Sequence, residues 1–323
     1  MHMIEIQYFK KSSTKSKNTD MHDLYSIYTK VLKQVKSCLE EYLVGGGNVR
    51  FYSNKPKMSD VEVISLALTA ECLGIDSENL LWSKIQKDYR NKFPNLIHRT
   101  RYNARRKSLR DWFIYCSHLW SEKITDQHDQ YIVDSIPIPV CRIAREKSSR
   151  ICRSEKDLVQ ASKGYSSTEK QYFIGYKLHL IVSSSGVFQE CEILPGNVHD
   201  INFLKLIEQT HLSKCTLIGD RAYLSAPLQL HLFEEFQIDL SVPFRRNQRD
   251  HQEYCRVKRI KRKRIETVFS QYCDALMLKR NYAKTFAGLE ARIYSKIGAM
   301  TFQQLWNYLN GNKISRTKHS LAA

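Results

Sequence analysis

Acidic residues are scarce in this chain, and its cysteines form no recognisable pairs. Only 33 Asp and Glu stand against 51 Lys and Arg in 323 residues, a formal net charge of +18. That deficit predicts attraction to polyanions, nucleic acid foremost, the alternative being a basic protein with no such partner. The 9 cysteines include no C-x-x-C and are odd in number, which argues against a zinc site or a disulfide framework and fits a reducing compartment. Long apolar runs are missing too. VISLALTA, at 63–70, is among the longest and is far too short to cross a membrane, and MHMIEIQYFKKSSTKSKNTD lacks the apolar core of a signal peptide. The expectation is a soluble, cytoplasmic protein with no membrane partner. At 42% hydrophobic residues the chain has enough apolar content for a packed core.

The first third reads as helical. Residues 1–20 form a polar, lysine-rich lead-in expected to be disordered. Leu24, Ile27, Val31, Val35, Leu39 and Tyr42 keep helical spacing until Gly45, Gly46 and Gly47 break it. Ser59 and Glu62 make a capping-box pattern for a second helix, with Val61, Ile64 and Leu68 on one face and a stop near Gly74. A third helix is predicted over 77–89. A fourth is predicted from about Thr100 to Ile124, with Leu109, Phe113, Cys116 and Trp120 as its seam. Arg105 and Arg106 lie in a cluster of arginines near the start of that helix, placed either for phosphate contact or as the solvated basic face of a bundle.

From Tyr131 the period changes. YIVDSIPIPV reads as a strand that Pro137 and Pro139 end soon after Asp134. A basic irregular segment with Arg142 and Arg145 follows. Next comes a hairpin of 171–182 and 187–194 across Ser184, Ser185 and Gly186. A helix over about 199–209, the strand CTLIGD, a helix over 225–236, the strand IDLSVPF and a final helix complete the order. The fold class predicted is α/β, a mixed five-stranded sheet with helices on both faces, preceded by an all-helical region. The expected division is lead-in 1–20, helical DNA-binding region 21–125, catalytic domain 130–310 and flexible basic tail 311–323.

Chemistry enters with three acids: Asp134, Asp220 in CTLIGDRAYL and Glu266 in RKRIETVFSQYC. Two strand-end aspartates followed by a helix glutamate are what an RNase H-like fold uses to hold two divalent metals against a phosphodiester. Hard cations such as Mg²⁺ take oxygen ligands. A pair of them activates the attacking oxygen and stabilises the leaving one in an in-line displacement. Ile265, Val268, Phe269, Tyr272 and Leu276 form a helical stripe with Glu266 at its border. Arg262, four residues before Glu266, is placed to contact a phosphate or merely to pair with that glutamate. The stretch 245–264 is dense in cations, among them Arg245, Arg246, Arg259, Arg262 and Lys263, a charge density suited to a phosphate backbone.

These pieces resemble the DDE transposases of bacterial insertion sequences, most closely the insertion-sequence nine-eighty-two family. The matching segments are VDSIPIPVC, FIGYKLHLIV, ILPGNVHD, IGDRAY and KRKRIETVFS, spread over about 132–302. The resemblance implies an RNase H-like core with Asp134, Asp220 and Glu266 as catalytic and metal-holding triad, and two Mg²⁺ ions with Mn²⁺ as a substitute. It also implies double-stranded DNA as partner, both terminal inverted repeats and target, a homo-oligomer that synapses two ends, and a place on the bacterial nucleoid. Arg262 matches the family's arginine one turn before the glutamate. Arg259 and Cys273 stand where a larger related group has tyrosine and lysine, so those roles do not transfer. The PGNVHD segment adds His199 and Asp200 as supporting residues: Asp200 is read as a helix N-cap rather than a metal ligand, and His199 as a DNA contact or a brace. Tyr223 is read as positional. Tyr165, Tyr172 and Tyr176 either stack on unpaired bases or pack on their strands. Two alternatives stay open: an RNase H-like nuclease without strand transfer, and a non-catalytic DNA-binding protein derived from a transposase.

Overall fold

The computed structural model describes residues 23–124, 129–154, 157, 159–244, 254–318 and 320–321. The lead-in 1–20 and the candidate DNA contacts Arg245 and Arg246 lie outside the described residues.

The helical region begins with α1 (Leu24–Leu39), capped by Asp23, whose carboxylate accepts from the Ser26 amide at 2.7 Å. Its predicted apolar seam is buried from Leu24 to Leu39, whereas Tyr42 falls in a following 3-10 turn and is exposed. In α2 (Asp60–Cys72) both halves of the capping box form: the Glu62 amide donates to Ser59 Oγ at 3.3 Å, and the Ser59 amide to Glu62 Oε2 at 2.6 Å. Burial of α2 runs right round the helix rather than along one face, because α1, α4 and a C-terminal helix enclose it. After α3 (Glu78–Asp88), the single helix expected over 100–124 is two, α4 (Arg99–Ser108) and α5 (Arg110–Lys123). The break falls at Leu109, which leaves helical geometry (φ −103°, ψ 10°) with its side chain fully buried. The apolar seam runs through the break unchanged, which hides the break from a pattern reading.

The sheet has six strands, not the five expected. They are β1 (Gln130–Cys141), β2 (Ser162–Ser166), β3 (Gln171–Ser183), β4 (Phe188–Pro195), β5 (Cys215–Ile218) and β6 (Ile238–Ser241). The order is β2-β3-β1-β5-β6, with β4 also on β3. The added strand, β2, pairs with 171–175 on the same side of β3 as β4, so it extends that row rather than adding a column. β1 does not end after Asp134 but pairs antiparallel with β3 as far as Cys141. Pro137 and Pro139 are tolerated because residues two apart turn their nitrogens to the same edge, and β5 leaves that edge free beyond Ile132. The β3–β4 hairpin turns where predicted, with Gly186 at φ +87°.

Alternation along the strands separates two faces. Ile132, Ile136, Leu178, Leu180 and Ile218 face α8 (Arg256–Asp274) through its stripe Ile265, Val268, Phe269 and Tyr272. Val133, Ile181 and Leu217 face the other way, toward α6 (Ile201–Leu204) and α7 (Ala226–Phe236). The helix expected over 199–209 is only the four residues of α6 followed by a 3-10 turn at Ile207–Gln209.

The long α9 (Phe286–Leu309) is the shared wall: Leu289, Ile293 and Ile297 join the sheet core, whereas Ala299, Phe302 and Leu305 join the helical core. Glu71 of α2 is its polar counterpart. It is buried and accepts from Arg106 of α4 at 2.8 Å, Ser295 at 3.0 Å and Lys296 at 2.6 Å, the last two on α9. Described residues of the expected flexible basic tail make contacts with the fold. Leu321 joins the helical core, and Asn307 Nδ2 donates to the carbonyls of Lys313 and Arg316 at 3.3 and 2.8 Å.

Candidate active site

Strand register brings the two aspartates level. β1 and β5 run parallel with Ile132 opposite Ile218, so Asp134 and Asp220 each follow a paired isoleucine by two residues. Asp134 shares the parity of Ile132 and therefore faces α8. Its Oδ1 accepts from the Ser135 amide at 2.8 Å. Burial pushes the Asp134 carboxyl up to about 7; the Ser135 amide and Arg262 pull it down, and Asp220 and Asp200 add to the rise.

Asp220 is locked by its own motif. Its Oδ1 accepts from the Ala222 amide at 2.8 Å and so caps the 3-10 turn Arg221–Tyr223. That turn drives Tyr223 wholly into the core, where its hydroxyl lies 3.2 Å from His179 Nδ1. The G-D-x-A-Y pattern thus has a local cause: the aspartate caps, the alanine supplies the amide and the tyrosine anchors. Burial raises the Asp220 carboxyl as well, against the pull of the Ala222 amide.

Glu266 arrives on α8 one turn after Arg262, and Arg262 stands between it and the strands. The guanidinium is 3.9 Å from Asp134 Oδ2 and 3.5 Å from Glu266 Oε1. The glutamate is half exposed. Among the described residues no three His, Cys, Asp or Glu lie close enough together to hold a metal. The two aspartates are therefore gathered, and Glu266 joins them across an arginine rather than as a third ligand. An oxygen-only donor pair, buried enough to raise its own proton affinity, fits a hard cation at Asp134 and Asp220. Glu266 completes such a set only if Arg262 gives way.

Asp200 belongs to this site, and although it stands at the N-cap position predicted, its side chain serves elsewhere. The capping bond to the Ile201 amide comes from His199 Nδ1 at 3.3 Å, whereas the Asp200 side chain makes none. Instead Asp200 pairs with Lys177 Nζ, accepts from Ser135 Oγ at 3.3 Å and lies 3.9 Å from His179 Nε2. His179 is fully buried and stacked on Phe203; burial lowers its pKa to about 4, so the ring is neutral. Lys177, His179 and Ser135 escaped the sequence reading. The signal was there, since Lys177 and His179 stand on alternate positions within 173–182, a run otherwise made of apolar residues, Gly175 and Tyr176.

The remaining candidates divide. Arg142, Arg145, Arg259 and Lys263 are exposed, as a DNA contact requires. Arg106 is not: it is buried and paired with Glu71 and Glu78. Arg105 is also committed, to the Asp60 carboxylate and the Met58 carbonyl, with 16% of its side chain exposed. Tyr176 is buried with its hydroxyl donating to the Val159 carbonyl at 2.9 Å, so base stacking is left to the exposed Tyr165 and Tyr172.

Residues 124–281, just under half of the chain, match the family model of the transposase DDE domain. The matched segment runs from the end of α5 to just past α8 and encloses Asp134, Asp220 and Glu266. No curated protein and no solved structure matches the chain. The match supports a DDE transposase, an enzyme acting on DNA. No helix among the described residues is long and apolar enough to cross a membrane.

Proposed function

We propose that this DDE-domain protein is an insertion-sequence transposase of the nine-eighty-two kind. In this reading it binds the terminal inverted repeats, hydrolyses the phosphodiester at each element end and joins the freed 3′ hydroxyl to target DNA. The observation that carries the proposal is the level placement of Asp134 and Asp220 on adjacent strands, with Arg262 bridging to Glu266. The strand order supports an RNase H-like core, since β4-β3-β1-β5-β6 places the first strand at the centre. Residues 130–310 then form the catalytic domain, and 21–125 the helical DNA-binding region.

Asp134 and Asp220 would hold the divalent ion, with Glu266 recruited as Arg262 turns to the scissile phosphate. Bound there, Mg²⁺ or Mn²⁺ supplies Lewis acidity to the attacking and leaving oxygens. The protein's residues orient. The Ser135 and Ala222 amides fix the two aspartates, and Lys177 and the Ser135 hydroxyl hold Asp200 behind them. In hydrolysis, water oxygen bonds to phosphorus as the bond to O3′ breaks, and its proton passes to solvent. In joining, the 3′ oxygen bonds to a target phosphorus and releases a target 3′ hydroxyl. The exposed cations Arg259, Lys263, Arg142 and Arg145 would neutralise backbone phosphates, making binding steeply salt-dependent. A homo-oligomer would bring two ends together.

The test uses supercoiled plasmid and a labelled oligonucleotide with a free 3′ hydroxyl in Mg²⁺. The wild-type chain should nick the plasmid and join the oligonucleotide, and Asp134→Asn should do neither while still binding DNA. Nicking without joining would mark a plain nuclease. Binding with neither reaction would mark a non-catalytic DNA-binding protein.

A further inference from the structure

A second charged site lies away from the acids, where α4 meets the start of α9. A cavity of about 540 Å³ opens there, lined by Arg99, Arg106, Lys107, Lys284 and Arg292 against a single carboxylate, Glu78. The neighbouring acids are already occupied. Glu78 is shared by Arg99 at 4.0 Å, Arg106 at 3.6 Å and Asn103 Nδ2 at 2.7 Å. Glu71, behind the wall, is shared by Arg106 and Lys296. Arg292 donates to the Asp76 carbonyl, 3.1 Å from each terminal nitrogen, and lies over the Tyr282 ring, but has no carboxylate ion pair among the described residues. Among the described residues, Lys107 and Lys284 have no ion-pair partner, and Arg106 Nε is buried with no acceptor.

Crowded cations at a partly desolvated wall are costly unless an anion joins them. Arginine forks beside lysine ammonium groups match the tetrahedral oxygens of phosphate, and Asn103 and Thr285 add neutral polar groups to the same wall. We infer that this cavity, between the helical region and α9, is a binding site for phosphate groups, separate from the acid pocket. If the proposed function holds, the phosphates are those of a DNA backbone; a free polyphosphate is the other source of the same chemistry.

The probe is sodium tripolyphosphate added to the full chain at constant ionic strength, followed by the shift in unfolding temperature. A second titration uses a short DNA duplex. Lys107→Gln/Lys284→Gln removes two partnerless charges from the cavity; Lys33→Gln/Lys36→Gln removes two exposed charges from α1 as the control. Tripolyphosphate should raise the unfolding temperature saturably in the wild type and the control, and the cavity variant should need roughly tenfold more for the same shift. Weaker duplex binding by the cavity variant than by the control assigns the site to DNA. Equal duplex binding assigns it to a free anion. A tripolyphosphate response that is the same in the cavity variant and the wild type overturns the site. Nicking by the acid pocket is read separately, so failure of one proposal leaves the other standing.

Discussion

The chain gathers charge in two places and treats it in opposite ways. Around Glu71, burial alone would push the carboxyl up, yet Lys296 and Arg106 hold it below the ordinary carboxylate range. Every partner there is supplied by the fold, and the cluster ties α2, α4 and α9 together. Around Asp134 the balance is reversed. Burial, with Asp220 and Asp200 nearby, outweighs the Ser135 amide and Arg262, and the carboxyl rises to about 7. One cluster is satisfied and structural; the other is left short of positive charge, as the proposed cation site would require.

That contrast can be broken first at Asp134. Asp134→Asn should reduce Mg²⁺-dependent nicking by on the order of 10⁴-fold, equivalent to more than about 5 kcal/mol of transition-state stabilisation. The same change should leave metal-free stability at neutral pH unchanged or raise it, because it removes a carboxylate that burial opposes. A variant that loses nicking by unfolding would show the aspartate to be structural and erase the distinction. Glu71→Ala should do the reverse. It strands Arg106 and Lys296 without an anion and should cost about 3–5 kcal/mol in urea unfolding. A loss below about 1 kcal/mol would show that solvent reaches the cluster.

A third acid sharpens the comparison because it belongs to neither class. Glu190 of β4 is raised to about 7 by burial and by Glu192, and its neighbour His118, 3.7 Å away, is held neutral by burial, with a pKa of about 4. The contact is therefore not an ion pair at neutral pH. Unfolded, Glu190 ionises near 4.5. Between there and 7 the native Glu190 holds an extra proton, so its own contribution to stability is greatest at the acid end and falls as pH rises toward 7, whereas His118, neutral when folded but protonated when unfolded below its ordinary 6.5, contributes the opposite trend. Glu190→Gln should flatten that fall by about 2–3 kcal/mol in urea titrations from pH 4.5 to 7.5. Glu192, also raised by burial, contributes with the same sign. An unchanged pH profile in the variant would place the proton elsewhere.

What the sequence disclosed was what is local. The Ser59–Glu62 box and the Gly186 turn have their causes within four residues, and both formed as read. The level aspartates followed from strand order. What it concealed depended on distant partners. Nothing near Arg106 marks it as buried, since Glu71 is 35 positions away and Ser295 is 189. Asp200 carries the side chain of a helix cap, but Lys177 on β3 claims it and His199 takes the vacant role. Glu266 was placed with the aspartates on sequence order, and its separation from them is set by which way Arg262 extends.

Arg262 is where the smallest change in stability should carry the most information. Its contacts with Asp134 and Glu266 are long and partly solvent-exposed, so Arg262→Gln should alter unfolding by less than about 1 kcal/mol. The guanidinium nevertheless occupies the space through which Glu266 would reach the aspartates. Removing it should move the half-saturating Mn²⁺ or Mg²⁺ concentration downward, read as metal-induced stabilisation of the chain without DNA. A large loss of stability would class Arg262 with the satisfied cluster around Glu71. A metal response that weakens would mean the arginine arranges the acids rather than competing for them.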